Sequence, residues 1–155
     1  MSRSSLFKQL EVAPRASQVA VGDFLAALNF DQAGLIPCIT QQHDSGEVLM
    51  LAWMNRASLE ESLASGRLCY WSRSRQRLWR KGESSGQFQW LRELRVDCDG
   101  DALLALVEQQ GVACHTGRQG CFYLRLSAQG AEVMRDPAVP VEQLYGAAKA
   151  QQESE

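Results

Sequence analysis

The sequence predicts a compact, strand-rich α+β fold in a single domain. Its 155 residues, 45% of them hydrophobic, suffice for one ordinary core, or for a subunit that shares its core with a partner. A second full domain is not expected. Apolar runs of strand length, separated by turn residues, outnumber the segments with helical spacing. No internal repeat or low-complexity segment indicates another architecture.

The folded domain is expected to span residues 18–150. Residues 1–17 are polar and mixed in character, which predicts a flexible, loose N-terminal arm, and residues 151–155 are expected to form a short C-terminal tail. Apolar residues first recur at helical spacing over about 18–28, so we expect a short helix there with Ser17 as its N-cap.

A β-hairpin and a second helix are predicted next. The apolar runs LIPCITQQ and EVLMLAWM have strand length, and HDSG between them supplies turn chemistry. A helix is expected through RASLEESLAS, because Asn55 or Ser58 can cap its start and Gly66 stands just past its end. The run RLCYWSRS then resumes as a strand.

The C-terminal half is predicted to hold four more strands and a final helix. Residues 88–97 are compatible with a strand, and residues 102–111 suit a strand or a buried helix, of which we favour the strand. CFYLRLS and AEVMR are expected to pair as a hairpin around Gly130. VEQLYGAAKAQQ, which begins after Pro140, predicts a C-terminal helix.

Charge and composition argue against several classes of protein. The net charge is -2 and the pI is about 5.7, so the molecule as a whole is not steered to nucleic acid or to an anionic membrane. We see no apolar stretch long enough for a signal peptide or a membrane span, and therefore expect a cytoplasmic protein. Five cysteines in a reducing compartment indicate ligands or core residues, and Cys38 and Cys69 lie in apolar runs that suit the core.

One short region combines thiols with carboxylates, which indicates metal chemistry. Its candidate ligands are Cys98, Cys114, Cys121, Asp97, Asp99 and Asp101. Three thiolates suit a tetrahedral zinc with one open position, whereas carboxylates suit magnesium. If residues 97–101 are extended, the aspartates share one face, and Cys98 points from the other face toward the remaining cysteines, in the same chain or in another subunit. The alternative is a polar turn with ordinary cysteines, and the spacing is not the paired CxxC of a structural zinc site.

His115 directly follows one candidate ligand, in a loop with glycines at positions 111, 117 and 120. Its position between two candidate ligands favours a role at the site, as a fourth zinc ligand or as a general acid or base near neutral pH. A surface histidine satisfied by water is the alternative.

A second region, RLCYWSRSRQRLWRKGESSG, is strongly basic, and we call it the basic segment. Its cations are Arg67, Arg73, Arg75, Arg77, Arg80 and Lys81, with no acidic residue before Glu83. Arginines and serine hydroxyls suit phosphate groups, and Trp71 and Trp79 can stack on a base. An RNA-binding patch would extend over a wider surface of a basic protein, so we favour a small phosphorylated ligand. A solvated hairpin with its charges on one face is the other alternative.

Together these blocks resemble the phosphoribosyl-AMP cyclohydrolase family of histidine biosynthesis. The resemblance runs from about Asp31 to Tyr123. It rests on LIPCITQQ, GEVLMLAWMN, YWSRSRQRLWRKGESSG, LRVDCDGDALL and VEQQGVACHTGRQGCFY, which occur in the order that the family shows.

The resemblance implies an intertwined, strand-rich homodimer that opens the adenine ring of 1-(5-phosphoribosyl)-AMP between N1 and C6. It implies that Zn²⁺ is bound by Cys98, Cys114 and Cys121, with Cys98 supplied by the opposite subunit. It implies that Mg²⁺ is bound by Asp97, Asp99 and Asp101. His115 is the expected proton shuttle. The expected substrate-binding residues are Arg73, Arg75, Trp79, Lys81, Glu83 and Arg118.

Two rival functions differ in testable ways. A nucleotide deaminase also attacks adenine C6 but releases ammonia, and its H-x-E and P-C-x-x-C signature is absent here. A non-enzymatic, zinc-stabilised RNA-binding module would close the zinc shell with His115 and leave no open position.

Overall fold

The structure, a computed structural model, describes residues 3–144 as four helices and eight strands. The helices are α1 (Arg3–Glu11), α2 (Val21–Ala27), α3 (Arg56–Ser65) and α4 (Val141–Leu144). The strands are β1 (Ile36–Gln42), β2 (Val48–Met54), β3 (Cys69–Ser72), β4 (Arg77–Arg80), β5 (Gln89–Val96), β6 (Leu103–Gln109), β7 (Leu124–Ser127) and β8 (Gly130–Val133). The predicted strand-rich α+β class is confirmed.

A four-stranded sheet with the order β2-β1-β6-β5 forms the centre of the fold. Strand β1 pairs antiparallel with β2 and parallel with β6, and β5 pairs antiparallel with β6. A parallel pair needs a crossover, and here α3, the β3-β4 hairpin and β5 lie between β1–β2 and β6 in the chain. The β3-β4 and β7-β8 hairpins form two separate two-stranded sheets.

The two faces of the central sheet differ in burial. Alternate residues of β1 and β6 are buried in the core, including Ile36, Cys38 and Val107, each 0% exposed. Burying an aliphatic side chain of this size contributes roughly 1.5–3 kcal/mol. The opposite face, which we call the outer face, consists of Ile39, Leu51, Leu104 and Leu106. Ile39 and Leu51 are 37% and 46% exposed, and the register places Ile39 beside both Leu51 and Leu104.

Helix α3 begins and ends where the sequence predicts. The Asn55 side chain accepts a hydrogen bond from the Ser58 backbone N–H at 2.8 Å, and the Ser58 hydroxyl accepts from the Asn55 N–H at 3.0 Å. This reciprocal capping satisfies two backbone donors that an uncapped helix leaves unpaired. Gly66 ends the helix in the left-handed conformation.

The predicted β1-β2 and β7-β8 hairpins, the strand at 88–97 and the strand at 102–111 are confirmed. Cys38 and Cys69 are buried as expected, and desolvation raises the pKa of each thiol to about 12. Strand β4 extends the predicted β3 region into a hairpin. Helix α4 starts after Pro140, and the rest of the predicted C-terminal helix lies outside the described residues.

The prediction of a loose arm over residues 1–17 was wrong for its helical part. Residues Arg3–Glu11 form α1, because Leu6 and Phe7 find apolar partners and are only 8% and 7% exposed. Helix α2 lies within the predicted range but starts later, with Ala20 rather than Ser17 at its N-cap. The Ser17 hydroxyl instead donates to the Pro14 carbonyl at 2.7 Å.

Residues 97–101 form a turn rather than the extended strand that would split thiol from carboxylates by alternation. The Gly100 N–H donates to the Asp97 carbonyl, and the Asp97 N–H donates to the Ala102 carbonyl. Gly100 has a φ of 74°, which an extended strand does not allow and which glycine adopts readily. The polar-turn alternative is therefore correct for the backbone.

Among the described helices, none has the length and apolar character that a membrane span requires.

Candidate active site

A short loop after β6, residues 114–121, brings Cys114 and Cys121 together, and we call it the thiol loop. The Cys114 N–H donates to the Arg118 carbonyl at 3.1 Å, which closes the loop, and the Cys121 N–H donates to the Leu49 carbonyl of β2 at 2.6 Å. Gly117 is needed inside the loop, because a Cβ there would overlap the Val139 carbonyl. The loop is thus fixed at one end to the central sheet and at its tip to the segment before α4.

The two thiols form a hydrogen-bonded pair with unequal proton affinity. The hydrogen bond with Cys121 and, to a smaller extent, the Thr116 hydroxyl, 3.0 Å from the Cys114 Sγ, lower the pKa of Cys114 to about 5. The same hydrogen bond raises the pKa of Cys121. At neutral pH, Cys114 is therefore a thiolate, and it accepts a hydrogen bond from the Cys121 thiol. A thiolate next to a second thiol is a donor set that fits zinc.

A cavity of about 260 Å³ lies against the thiol pair. Its lining residues are Met50, Leu51, Trp79, Lys81, Ala113, Cys114, His115, Thr116, Cys121 and Tyr123. His115 is exposed, so its imidazole can exchange protons with solvent while facing the same space as the thiols.

Lys81 lies beside the thiol pair and is only 4% exposed. Its Nζ donates to the Ala113 carbonyl at 2.6 Å and is 5.3 Å from the centre of the Trp79 ring. A buried cation at this position offsets the negative charge of thiolate ligands. Its location therefore suits the thiol centre as well as the phosphate contact expected from the sequence.

The carboxylate groups of the three aspartates in the 97–101 turn lie close together, although the backbone there is not a strand with alternating side chains. One carboxylate oxygen of each lies within 4.8 Å of those of the other two, and all three residues are exposed. The Asp97 Oδ1 accepts from the Asp101 N–H at 2.9 Å and from the Ala102 N–H at 3.2 Å. We call this group the acidic turn.

Hydrogen bonds within the acidic turn give its carboxyl groups different pKa values. Hydrogen bonding with Asp97, and then with Asp99, raises the pKa of Asp101 to about 6. Desolvation opposes ionisation of Asp97, but hydrogen bonds from Asp101 and from backbone N–H groups outweigh it and lower the pKa of Asp97. Three converging carboxylate oxygens are a ligand set that fits a hard divalent cation such as Mg²⁺.

Cys98 lies in the same turn and is exposed. Within residues 3–144, the acidic turn is the one group of three such side chains whose ligand atoms approach within 4.8 Å of one another. Cys98 therefore does not join Cys114 and Cys121 within one protomer.

The basic segment forms a second cavity, of about 470 Å³, on the β3-β4 hairpin. Arg75, Trp79 and Glu83 line it together with Arg77, Leu78, Arg80 and Ser84. The Nε and Nη2 of Arg75 and the Nε1 of Trp79 are buried without a hydrogen-bond partner among the described residues. Leaving a buried donor unpaired costs about 1–3 kcal/mol, so these atoms favour a ligand that carries acceptor oxygens.

The other predicted cations are spread around this hairpin and the thiol loop. Arg73 stacks over the Trp53 ring at 5.0 Å from its centre. Arg118 stacks over Tyr123 at 3.9 Å and donates through Nε to the Arg135 carbonyl at 2.8 Å. Each guanidinium group thus packs on an aromatic ring, and Tyr123, the partner of Arg118, lines the cavity beside the thiols.

Two residues that shape the site, Thr116 and Asn29, were not predicted from the sequence. Thr116 follows His115 directly, and its hydroxyl next to a candidate ligand is a signal that the sequence does carry. Asn29, whose side chain donates to the Asp99 carbonyl at 2.7 Å, lies 70 residues away from it, and no local pattern indicates that contact.

Comparison with known proteins identifies the family. A sequence profile described as phosphoribosyl-AMP cyclohydrolase matches residues 50–123. A phosphoribosyl-AMP cyclohydrolase of Chromohalobacter salexigens is 61% identical over 140 residues, which cover 90% of this chain and 96% of that protein. The chain belongs to the phosphoribosyl-AMP cyclohydrolase family. The resemblance read from the sequence is confirmed.

Other cyclohydrolases are similarly close. That of Alcanivorax borkumensis is 56% identical over 141 residues, covering 91% of this chain and 99% of its own length. That of Rhodospirillum centenum is 64% identical over 121 residues, covering 78% of this chain and 91% of its own length. The region matched by the cyclohydrolase profile contains the thiol loop, the acidic turn and the basic segment.

Proposed function

We propose that this protein hydrolyses 1-(5-phosphoribosyl)-AMP, opening its adenine ring between N1 and C6 as a step of histidine biosynthesis. Membership of the cyclohydrolase family supports the reaction. The observation that carries the proposal within the structure is the hydrogen-bonded Cys114–Cys121 pair, which shares one cavity with His115. The product retains the amine as a carboxamide, and no ammonia leaves.

Zn²⁺ would be held by Cys114 and Cys121 of one subunit and by the partner subunit's Cys98. When bound, it would supply a Lewis acid that lowers the pKa of water toward neutrality. Lys81, buried beside the thiols, offsets part of the ligand charge that would otherwise weaken that effect.

His115 would move the proton that the reaction requires. Its imidazole accepts a proton from the water whose oxygen bonds to C6 and returns it to N1 as the C6–N1 bond breaks. The second proton of that water passes to the exocyclic nitrogen on C6, which leaves C6 as the carbonyl of a carboxamide. Its exposure supports this role, because the imidazole can reset through solvent between turnovers. Trp79 and Met50 cover the apolar side of the same cavity and limit access of bulk water to the ring.

The substrate's two phosphates would be held by the basic segment and the acidic turn's metal. The unpaired nitrogens of Arg75 and Trp79 support a phosphate site in the 470 Å³ cavity, with Glu83 at its edge. Arg73 and Arg118 would contact the remaining phosphate or ribose oxygens. Mg²⁺ would be held by Asp97, Asp99 and Asp101.

We further propose an intertwined homodimer in the cytoplasm. The outer face supports dimerisation, because Ile39 and Leu51 on it are large apolar side chains that are 37% and 46% exposed. The β7-β8 hairpin supports it as well, since Leu124, Leu126 and Val133 are 62%, 83% and 58% exposed. A shared zinc site also accounts for the separation of Cys98 from the thiol pair within one protomer. A reducing compartment would keep the ligand thiols free.

The test is ring opening and metal content, measured on one anaerobically purified sample. We expect the wild type to contain zinc and to open phosphoribosyl-AMP with Mg²⁺ present, followed by ultraviolet absorbance, without ammonia release. Cys114→Ala should lose both zinc and activity, whereas Cys69→Ala, a buried cysteine outside the site, should keep both. A zinc-containing wild type that shows no ring opening, or that releases ammonia, would contradict the proposal.

A further inference from the structure

Helix α1 packs directly onto the acidic turn. Phe7 is 7% exposed, and a Cβ added at Gly100 would overlap its ring. Phe24 of α2 holds the Phe7 ring from the side, with the ring centres 5.5 Å apart at an angle of 82°. The Phe7 ring is thus fixed against Gly100, the residue whose positive φ makes the turn possible.

Asn29 holds the same turn through two hydrogen bonds. Its backbone N–H donates to the Gly100 carbonyl at 2.8 Å, and its Nδ2 donates to the Asp99 carbonyl at 2.7 Å. The turn's own bonds run from the Asp101 and Ala102 N–H groups to the Asp97 carboxylate. Two successive carbonyls of the turn are therefore fixed from outside, which sets the direction in which its side chains project.

We propose that Phe7 and Asn29 are positioning residues that preorganise the acidic turn for a divalent cation and for presentation of Cys98 to the partner subunit. The proposal rests on the proposed function in taking this turn as the Mg²⁺ site. Both residues lie outside the region matched by the family profile, residues 50–123. The N-terminal segment thus contributes to a site whose ligands all lie within that region.

Contacts that fix the turn in advance counteract the repulsion between its three carboxylates. The carboxylate oxygens of Asp97, Asp99 and Asp101 lie within 4.8 Å of one another, and like charges at that distance repel. A glycine-containing turn without outside contacts relieves this repulsion by spreading apart, and the cation must then gather the ligands again at the expense of its affinity. Partners that orient metal ligands typically change metal affinity 10- to 100-fold when they are removed.

The competing explanation is that Phe7 only contributes to the core. In that case, its removal lowers the stability of the fold but leaves the metal affinity of the folded protein unchanged. Leu6→Ala is the matched control, because Leu6 lies in the same helix and is similarly buried, at 8% exposed compared with 7% for Phe7.

The experiment measures Mn²⁺ binding by electron paramagnetic resonance on the full-length, zinc-loaded protein, at a temperature where circular dichroism shows every variant folded. Asp101→Asn identifies the signal of the acidic turn. We expect Phe7→Ala and Asn29→Ala to weaken this binding about 10-fold or more, and Leu6→Ala to change it less than about 2-fold. Phe7→Leu should recover most of the affinity, because it restores apolar contact with the turn.

Two further outcomes separate the inference from the proposed function. Equal affinities in Phe7→Ala, Asn29→Ala and Leu6→Ala would overturn the positioning role alone, with the metal site intact. Absence of any Asp101-dependent Mn²⁺ binding in the wild type would overturn the magnesium site and the positioning role together. A higher Mg²⁺ requirement for ring opening in Phe7→Ala, with an unchanged KM at saturating Mg²⁺, would support the inference independently.

Discussion

Individual hydrogen bonds determine which thiol of the pair carries the negative charge. Cys121 and Thr116 both stabilise the Cys114 thiolate, and its pKa of about 5 lies well below that of an ordinary cysteine. In the proposed zinc site, whose ligands must be deprotonated, Cys114 would be ready to bind at neutral pH, whereas Cys121 would have to lose its proton on binding. The two proposed ligands of this loop would therefore contribute differently to the pH dependence of zinc affinity.

Thr116→Val tests the contribution of the hydroxyl. Loss of this donor removes stabilisation of the thiolate but not of the thiol, so the pKa of Cys114 should rise. In zinc-free protein, the pH midpoint of iodoacetamide labelling at Cys114 should move upward, while Thr116→Ser, which keeps the hydroxyl, should match the wild type. An identical midpoint in Thr116→Val would show that the hydroxyl does not lower the pKa of Cys114.

The raised pKa of Asp101 predicts how magnesium affinity depends on pH. A carboxyl group with a pKa of about 6 holds a proton below that pH, and this proton must leave before the cation binds. The Mg²⁺ concentration for half-maximal ring opening should therefore rise as the pH falls below about 6. Titrations at several pH values check this, and a requirement that stays constant down to pH 5 would contradict it.

Arg75 separates ligand binding from stability. Its buried nitrogens have no hydrogen-bond partner among the described residues, so Arg75→Met should leave the free energy of unfolding unchanged or raise it. Loss of charge-assisted hydrogen bonds to phosphate should raise the KM for phosphoribosyl-AMP about 10- to 100-fold. Steady-state kinetics and urea unfolding measure both, and Arg56→Met, at an exposed ion pair on α3, should change neither appreciably.

At the scale of elements, local signals in the sequence place α3, the hairpins and the strands, whereas tertiary contacts place α1 and the acidic turn. Asn55 caps the start of α3, and Gly66 marks its end. Residues 3–11 carry no strong helical pattern, and their helix depends on burial of Leu6 and Phe7 against distant partners. For residues 97–101 the sequence left an extended strand and a polar turn as alternatives, and Gly100 and the Asp97 carboxylate favour the turn.

The cap of α3 gives a prediction for stability. Asn55→Ala removes the acceptor for the Ser58 N–H and should lower the free energy of unfolding by about 1 kcal/mol. Urea unfolding should show this as a lower midpoint with an unchanged slope. The control is Glu60→Ala on the exposed side of the same helix, which loses only a surface ion pair and should cost less than about 0.5 kcal/mol.

At the scale of the whole molecule, the sequence indicates that the three aspartates converge and that Cys114 and Cys121 belong together, but it does not indicate the surroundings of Lys81. Cys114 and Cys121 are close in sequence and meet in one loop, whereas Cys98 lies apart from them. Lys81 belongs to a basic run that suggests phosphate, yet it is buried next to the thiols because β4 leads it under the thiol loop. Such assignments depend on how β3-β4 packs on the central sheet, which no periodicity encodes.

Subunit complementation tests the shared zinc site. Cys98→Ala and Cys114→Ala should each be inactive as homodimers, but a mixed dimer contains one site with all three cysteines intact. Unfolding and refolding an equimolar mixture should therefore restore about a quarter of the wild-type activity, since about half of the dimers are mixed and each has one working site. No recovery in the mixture, with wild type refolded in parallel as the control, would place all three ligands in one subunit.

The parallel pairing of β1 with β6 has a consequence for the order of events during synthesis. Cys38 and Leu103 are register partners, so the central sheet cannot close until the chain has been made as far as β6. The loop with Cys114 and Cys121 is translated just after that strand, and the acidic turn just before it. A nascent chain therefore completes its thiol pair only when the sheet that supports it can assemble, whereas the residues of the acidic turn are already present before the sheet can close.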